Sequence, residues 1–90
     1  MSKHIAKFSL MSFEGPFRLQ LYKGSKFICN DDNVLYFEYL VEDNTIPEME
    51  ERDFYIVKYD RDFTYIRDNW EYVCSLSDNA HIKYFIYEEK

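Results

Sequence analysis

The sequence is short of the residue types that carry most recognisable chemistry. It has two glycines in ninety residues, Gly15 and Gly24, so no glycine-rich loop can wrap its backbone N–H groups around a phosphate. That excludes both the P-loop pattern and the dinucleotide fingerprint. Its two cysteines, Cys29 and Cys74, form no CxxC motif, and there is no HExxH or Cys/His cluster to ligate zinc. Only His4 and His81 are available as imidazole bases, far apart in the chain, and neither has a nucleophile spaced to suggest a pair. Asp31-Asp32 and Asp60-x-Asp62 present hard oxygens but too few local ligands for a cation, and turn stabilisation accounts for both. No apolar run approaches the roughly 20 residues that span a bilayer. Lys3, His4 and Lys7 break up the first ten residues, which lack the apolar core of a secretory signal. These absences lead to the expectation of a cytoplasmic, non-enzymatic protein with no cofactor, no metal and no membrane segment. Its two thiols are expected to be reduced and packed as small core hydrophobes.

What the chain does have is apolar and aromatic bulk. Hydrophobic residues make up 47% and aromatics 20%, including nine tyrosines, enough for one core of a single domain over residues 1–90. The net charge of −6 opposes direct binding to a nucleic acid backbone, which requires clustered Lys and Arg. The charge is lopsided. Residues 1–30 carry Lys3, Lys7, Arg18, Lys23 and Lys26 against Glu14 alone, whereas residues 31–90 carry six basic and sixteen acidic groups. An acidic surface aids solubility; it also suits a basic target or head-to-tail self-association.

Alternation with period two is the commonest pattern, and β-branched and aromatic residues fill it, while helical periodicity is weak. Strands are expected at Lys3–Leu10, Phe17–Tyr22, Lys26–Cys29, Val34–Val41, Asp53–Tyr59, Trp70–Leu76 and His81–Tyr87, with a short one at Thr64–Ile66. Lys23-Gly24-Ser25 is expected to fold Lys26–Cys29 back onto Phe17–Tyr22, Asn30-Asp31-Asp32-Asn33 to form the next turn, and Ser77-Asp78-Asn79-Ala80 to close the last hairpin. Val34–Val41, apolar on both faces apart from Glu38, reads as the central strand. Glu42–Glu51 reads as the longest surface loop, with room for one helical turn after Pro47. The expected fold is all-β: a small antiparallel curled sheet or barrel-like meander of about six to seven strands.

The order of these motifs resembles a family of short uncharacterised bacteriophage proteins, a domain of unknown function. The likeness runs through His4-Ile5-Ala6-Lys7-Phe8-Ser9-Leu10, the turn and strand Gly24-Ser25-Lys26-Phe27-Ile28, Leu40-Val41-Glu42, Glu51-Arg52-Asp53-Phe54-Tyr55-Ile56-Val57, and the hairpin of Tyr72-Val73-Cys74-Ser75 with Tyr84-Phe85-Ile86-Tyr87-Glu88. The chain departs from the family pattern at Lys58-Tyr59-Asp60, where a Gly-Thr-Gly turn is usual, and at Tyr84-Phe85, where a Trp-His pair is common. The resemblance implies a phage accessory protein acting in the bacterial host cytoplasm, and implies no reaction.

Aromatics occupy both alternating faces of three expected strands, so Tyr36, Tyr39, Tyr55, Tyr59, Phe85 and Tyr87 must include outward-facing members. Tyrosine combines an apolar body with a polar tip and suits interfaces. Beside them lie Glu42, Asp43, Glu48, Glu50, Glu51 and Asp53. Acids next to aromatic rings match a basic protein surface, the acids steering encounter and the rings supplying buried area. The expected binding set is therefore Glu42, Asp43, Glu48, Glu50, Glu51, Asp53, Tyr39, Tyr55 and Tyr59, facing a host protein with a basic surface. Three alternatives stay open at this point: a homo-oligomer that covers the extra aromatics, a binder sequestering a signalling nucleotide through Arg18, Lys23 and Lys26, and a virion or assembly component.

Overall fold

A computed structural model describes residues 1–59 and 65–90. Seven strands form, β1 (Ser2–Ser9), β2 (Phe17–Tyr22), β3 (Lys26–Asp31), β4 (Val34–Val41), β5 (Met49–Lys58), β6 (Trp70–Ser77) and β7 (Lys83–Glu89), with no helix among the described residues. All the pairings are antiparallel. The all-β expectation is met, and so is the position of β4 in the middle of its sheet. The strands do not close into a barrel. They divide into a three-stranded sheet of order β1-β4-β3 and a four-stranded sheet of order β2-β5-β7-β6.

The turns form where the sequence places them, because their chemistry is local. Gly24 takes φ +79° between β2 and β3, and Asp32 takes φ +53° in the two-residue reversal between β3 and β4. Asp78 Oδ1 accepts the N–H groups of Ala80 and Ile82, each at 2.9 Å, and its Oδ2 accepts the Tyr84 hydroxyl at 3.0 Å. The last of these turns produces the expected β6–β7 hairpin, although β7 begins at Lys83 and leaves His81 in the turn at φ +63°.

The partners of the strands follow a different logic. The expected pairing of β3 with β2 does not occur: β2 pairs with β5 and β3 with β4. The Gly24 turn reverses the chain but hands it from one sheet to the other: Leu19 and Leu21 stand opposite Arg52 and Glu50 of β5, and β3 runs along β4 instead. The chain also changes sheet between β1 and β2 and between β4 and β5. Three of the five ladders, β1–β4, β2–β5 and β5–β7, join strands that are not neighbours in sequence, so the fold is not a simple meander. β5 begins at Met49, so Glu50 and Glu51 are strand residues and the helical turn after Pro47 does not form. The anticipated short strand at Thr64–Ile66 falls partly outside the described residues and Asp60-x-Asp62 wholly so; Tyr65 and Ile66 are not in a strand.

The core lies between the sheets and is small. Phe37 of β4 is its centre, fully buried and approached edge-on by Phe8, Phe27 and Phe54 at ring separations of 5.9, 5.7 and 6.1 Å. Leu21, Leu35, Leu76, Cys74 and Ile86 complete it, with Leu10 at its border. Between β1 and β2 the chain crosses the open end of the core. Leu10 exchanges backbone and side-chain hydrogen bonds with Asn33 at 2.8 and 2.9 Å, and Phe13 stacks on Tyr84 at 4.8 Å. Gly15 lies so close to β5 that an added Cβ would stand 2.8 Å from the Ile56 nitrogen.

One end of the inter-sheet space is filled by charge. Arg52 of β5 forks onto the Glu88 carboxylate of β7 through Nε and Nη2, the latter at 2.7 Å, and its Nη1 donates to the Ser25 carbonyl at 2.6 Å. Glu88 is buried and Arg52 largely so. Burial alone would raise the Glu88 carboxyl, but the bonds to Arg52 and the nearby Lys90 outweigh it and hold the group below its ordinary value.

Two measurements follow. Gly15→Ala should lower stability by about 1–3 kcal/mol, read from the urea midpoint, since the β5 backbone has no room to yield. Because the Glu88 value is depressed in the fold, its stabilisation is complete above the unfolded carboxylate range and is lost as pH falls through the folded value. Glu88→Gln should therefore cost about 3–5 kcal/mol at neutral pH by stranding Arg52. It should also flatten the loss of stability on acidification below the ordinary carboxylate range.

Candidate binding surface

The outer face of the four-stranded sheet is unusual for a sheet that already buries its other face. Along β5 the outward positions are Glu51, Asp53, Tyr55 and Val57, with Tyr59 following the strand. Register places Tyr87 beside both Tyr55 and Tyr72, Phe85 beside Val57, and Glu89 beside Trp70. Tyr55 stacks on Trp70 at 4.3 Å across the intervening strand, Tyr72 meets Tyr87 at 5.8 Å, and Tyr59 meets Phe85 at 6.2 Å. A band of aromatic rings thus crosses the sheet where alternation normally sets polar side chains. Tyr59 and Tyr72 are each more than half exposed, at 56% and 54%.

Polar groups fix the rings and frame one end of the band. The Tyr55 hydroxyl donates to Glu89 at 3.0 Å, a bond that with partial burial raises its pKa. Asn69 donates to the other oxygen of Glu89 at 3.3 Å, the Tyr72 hydroxyl and Ser75 Oγ share a hydrogen bond of 2.6 Å, and the Arg67 guanidinium lies 5.7 Å from the Trp70 ring centre. Arg18 of β2, opposite Asp53 in the register, bonds Asp53 at 2.7 Å and Glu51 at 3.3 Å.

The nine residues expected to form one site are divided by the fold. Glu51, Asp53, Tyr55 and Tyr59 share the outer face just described. Glu42, Asp43 and Glu48 lie in the β4–β5 connection, where Glu42 and Glu48 line an open groove of about 360 Å³ with Met1, Tyr22, Leu40, Ile46 and Pro47. Glu50 points inward, 3.7 Å from Arg52 and accepting the Gly24 N–H at 3.4 Å. Tyr39 faces the inter-sheet space, stacked on Tyr22 at 4.3 Å and on His4 at 5.6 Å. Sequence reading missed Trp70 and Tyr72 because strict alternation sets them on the same face as the core residues Cys74 and Leu76, whereas the irregular pairing between Tyr72 and Cys74 turns them to the outer face. It also passed over Leu40 near the end of β4 and Ile46 in the β4–β5 connection, which are 57% and 90% exposed.

The acidic segment is also less free than its composition suggests. Lys23 lies 3.7 Å from Glu48, the Met1 amino group 3.2 Å from Asp43, and Arg18 bridges Glu51 and Asp53. Glu42 has no ion partner among the described residues. Much of the basic N-terminal third is thus spent on the acidic stretch that follows it. Arg18, Lys23 and Lys26, the residues considered for an anion, do not converge: the first two meet different carboxylates, and Lys26 stands on the three-stranded sheet opposite Glu38.

Groups suited to catalysis are dispersed. Ser2 Oγ and His4 Nε2 lie 2.9 Å apart at the exposed start of β1, with no group bonded to the other ring nitrogen among the described residues. No three metal-ligating side chains come together among the described residues, and no helix is long and apolar enough to cross a membrane. Both cysteines are free, but only Cys74 is a core thiol. Cys29 is exposed, in contrast to the expectation, because the irregular pairing between Phe27 and Cys29 shifts the alternation of β3 by one residue. No protein-family model, no curated protein and no solved structure matches this chain.

Burial pushes the Cys74 thiol up to about 11. Alkylation at neutral pH followed by peptide mass spectrometry should therefore label Cys29 quickly and Cys74 only when the protein is unfolded.

Proposed function

We propose that this protein is a non-enzymatic binding module that attaches to the basic surface of another protein through the outer aromatic face of its four-stranded sheet. The reading rests on one observation: along β5 the outward residues run from Glu51 and Asp53 into Tyr55, Val57 and Tyr59, so carboxylates and rings occupy one continuous strip. Arginine side chains of a partner can lie flat on tyrosine and tryptophan rings while their guanidinium groups reach the carboxylates at the end of the strip. The centre of the band carries no charge, so its desolvation on contact costs little and its area counts towards affinity. The acidic residues of the β4–β5 connection, Glu42, Asp43 and Glu48, act at longer range by steering encounter.

The resemblance to short bacteriophage proteins gives this module a biological setting. It is an accessory protein in the host cytoplasm that inhibits or redirects the host protein it binds. An uncharged aromatic centre also permits two copies to meet face to face, and the test below separates the two occupants.

Affinity purification from host cells followed by mass spectrometry identifies the partner, and calorimetry with the purified pair measures the contact. Tyr59→Ser combined with Tyr72→Ser should weaken binding at least tenfold, since exposed aromatic anchors contribute about 1–2 kcal/mol each or more, while leaving the melting temperature nearly unchanged. Glu42→Lys, Asp43→Lys and Glu48→Lys together should slow association and reduce its salt dependence. Full affinity in the tyrosine variant would remove the aromatic face from the reading. A dimer that dissociates in the same variant would assign the face to a second copy.

A further inference from the structure

The open edge of the three-stranded sheet offers a second and differently charged surface. β1 ends the order β1-β4-β3, and its residues Ser2 to Ser9 pair with β4 on one side only. On the other side, alternate backbone N–H and C=O groups face outward with no strand on them among the described residues. The opposite edge of that sheet is covered, because β3 lies against β6 and Asn30 Nδ2 donates to the Ser75 carbonyl at 3.4 Å. On the edge strand of the other sheet, β2, Arg18 is already held by Asp53 and Glu51.

The side chains along β1 specify what would fit there. Lys3, Ile5 and Lys7 alternate on its outer face, with Ile5 63% exposed. Lys7 has no ion partner among the described residues, and Lys3 stands 4.0 Å from Glu38 of β4. On its paired side β1 is thus already matched by a carboxylate-bearing strand. At the Ser2 end the edge runs into the groove floored by Met1, Leu40 and Ile46. A second copy of β1 is a poor occupant, because an antiparallel pair centred on Ile5 would set Lys3 directly opposite Lys7, and like charges across a ladder are destabilising.

We propose that β1 is a docking edge for an extended acidic segment of a partner protein. The segment adds antiparallel to β1 as a fourth strand of its sheet. It sets carboxylates beside Lys7 and Lys3 with an apolar residue between them on Ile5, and seats a following apolar side chain in the groove beside Met1. The backbone ladder supplies affinity, and the acid-x-apolar-x-acid spacing supplies selectivity. This surface is separate from the aromatic face and stands or falls independently of it.

The intact protein is titrated into a fluorescein-labelled peptide in which two glutamates flank a valine at alternate positions, spaced by threonines and closed by leucine, with fluorescence anisotropy as the readout. Binding is expected at about 10–100 μM in low salt. Lys3→Glu with Lys7→Glu, both at exposed positions, should weaken it about tenfold or more. Methylating the alternate peptide nitrogens that would face β1 should abolish it, and the unmodified peptide should slow hydrogen exchange of β1 amides. Equal binding of the methylated peptide, indifference to the lysine substitutions, protection appearing on the aromatic face instead of β1, or no binding up to about 1 mM would each overturn the proposal.

Discussion

Arg52 and Glu88 occupy the space between two sheets that share no ladder, and much of the architecture hinges on how their charges are satisfied. A carboxylate taken out of water is tolerated only when a cation and well-aimed donors replace its hydration. Here the guanidinium fork supplies both, and its remaining donor takes the Ser25 carbonyl at the turn between β2 and β3. The triad therefore ties β5 to β7 within one sheet and ties that sheet to the start of β3 in the other. The Arg52 guanidinium also lies 6.0 Å from the Phe37 ring centre, where the ion pair meets the hydrocarbon core. Apolar residues of the same volume would fill the space, but they would not fix the fork geometry that sets these three strands against one another.

The same pairing logic governs the surface. Taken in sequence, the chain begins basic and continues acidic; taken in space, the β2–β5 ladder lays the basic segment along the acidic one. The ion pairs of Arg18 and Lys23 are exposed, so each contributes little to stability in water. Their larger effect is on what remains available. The carboxylates of β5 are partly neutralised, Glu42 is left without an ion partner among the described residues, and the lysines of β1 keep a positive edge on an acidic protein. Two surfaces of opposite character result, an aromatic strip ending in carboxylates and an open strand edge flanked by lysines.

A two-sheet fold of this size has more aromatic bulk than its interior can hold. Phe37, Phe54, Leu21, Leu35 and Ile86 already fill the gap between the sheets, so the outward rings of β5, β6 and β7 have no second layer of described residues to cover them. They cover one another instead, through the Tyr55–Trp70 stack and the Tyr72–Tyr87 edge contact. Hydroxyl bonds to Glu89 and Ser75 hold the rings in fixed positions. Rings immobilised in this way lose little further entropy on meeting a partner.

Local signals determined the strands and their turns. Alternation marked β2, a run apolar on both faces marked β4, the polar runs around Asp32 and Asp78 marked reversals, and the surplus of tyrosine showed that some rings must face outward. Those features depend on residues a few positions apart, where side-chain direction and backbone preference act without help. Which strands pair is a different kind of fact. The ladder of β2 with β5, the inward placement of Glu50 beside Arg52, the exposure of Cys29 at an irregular step and the division of the acidic residues between a sheet face and a groove were decided only in three dimensions. Each depends on apolar faces and charges distant in the chain competing for a single interior, and a period-two pattern records that a face is to be buried without recording against what.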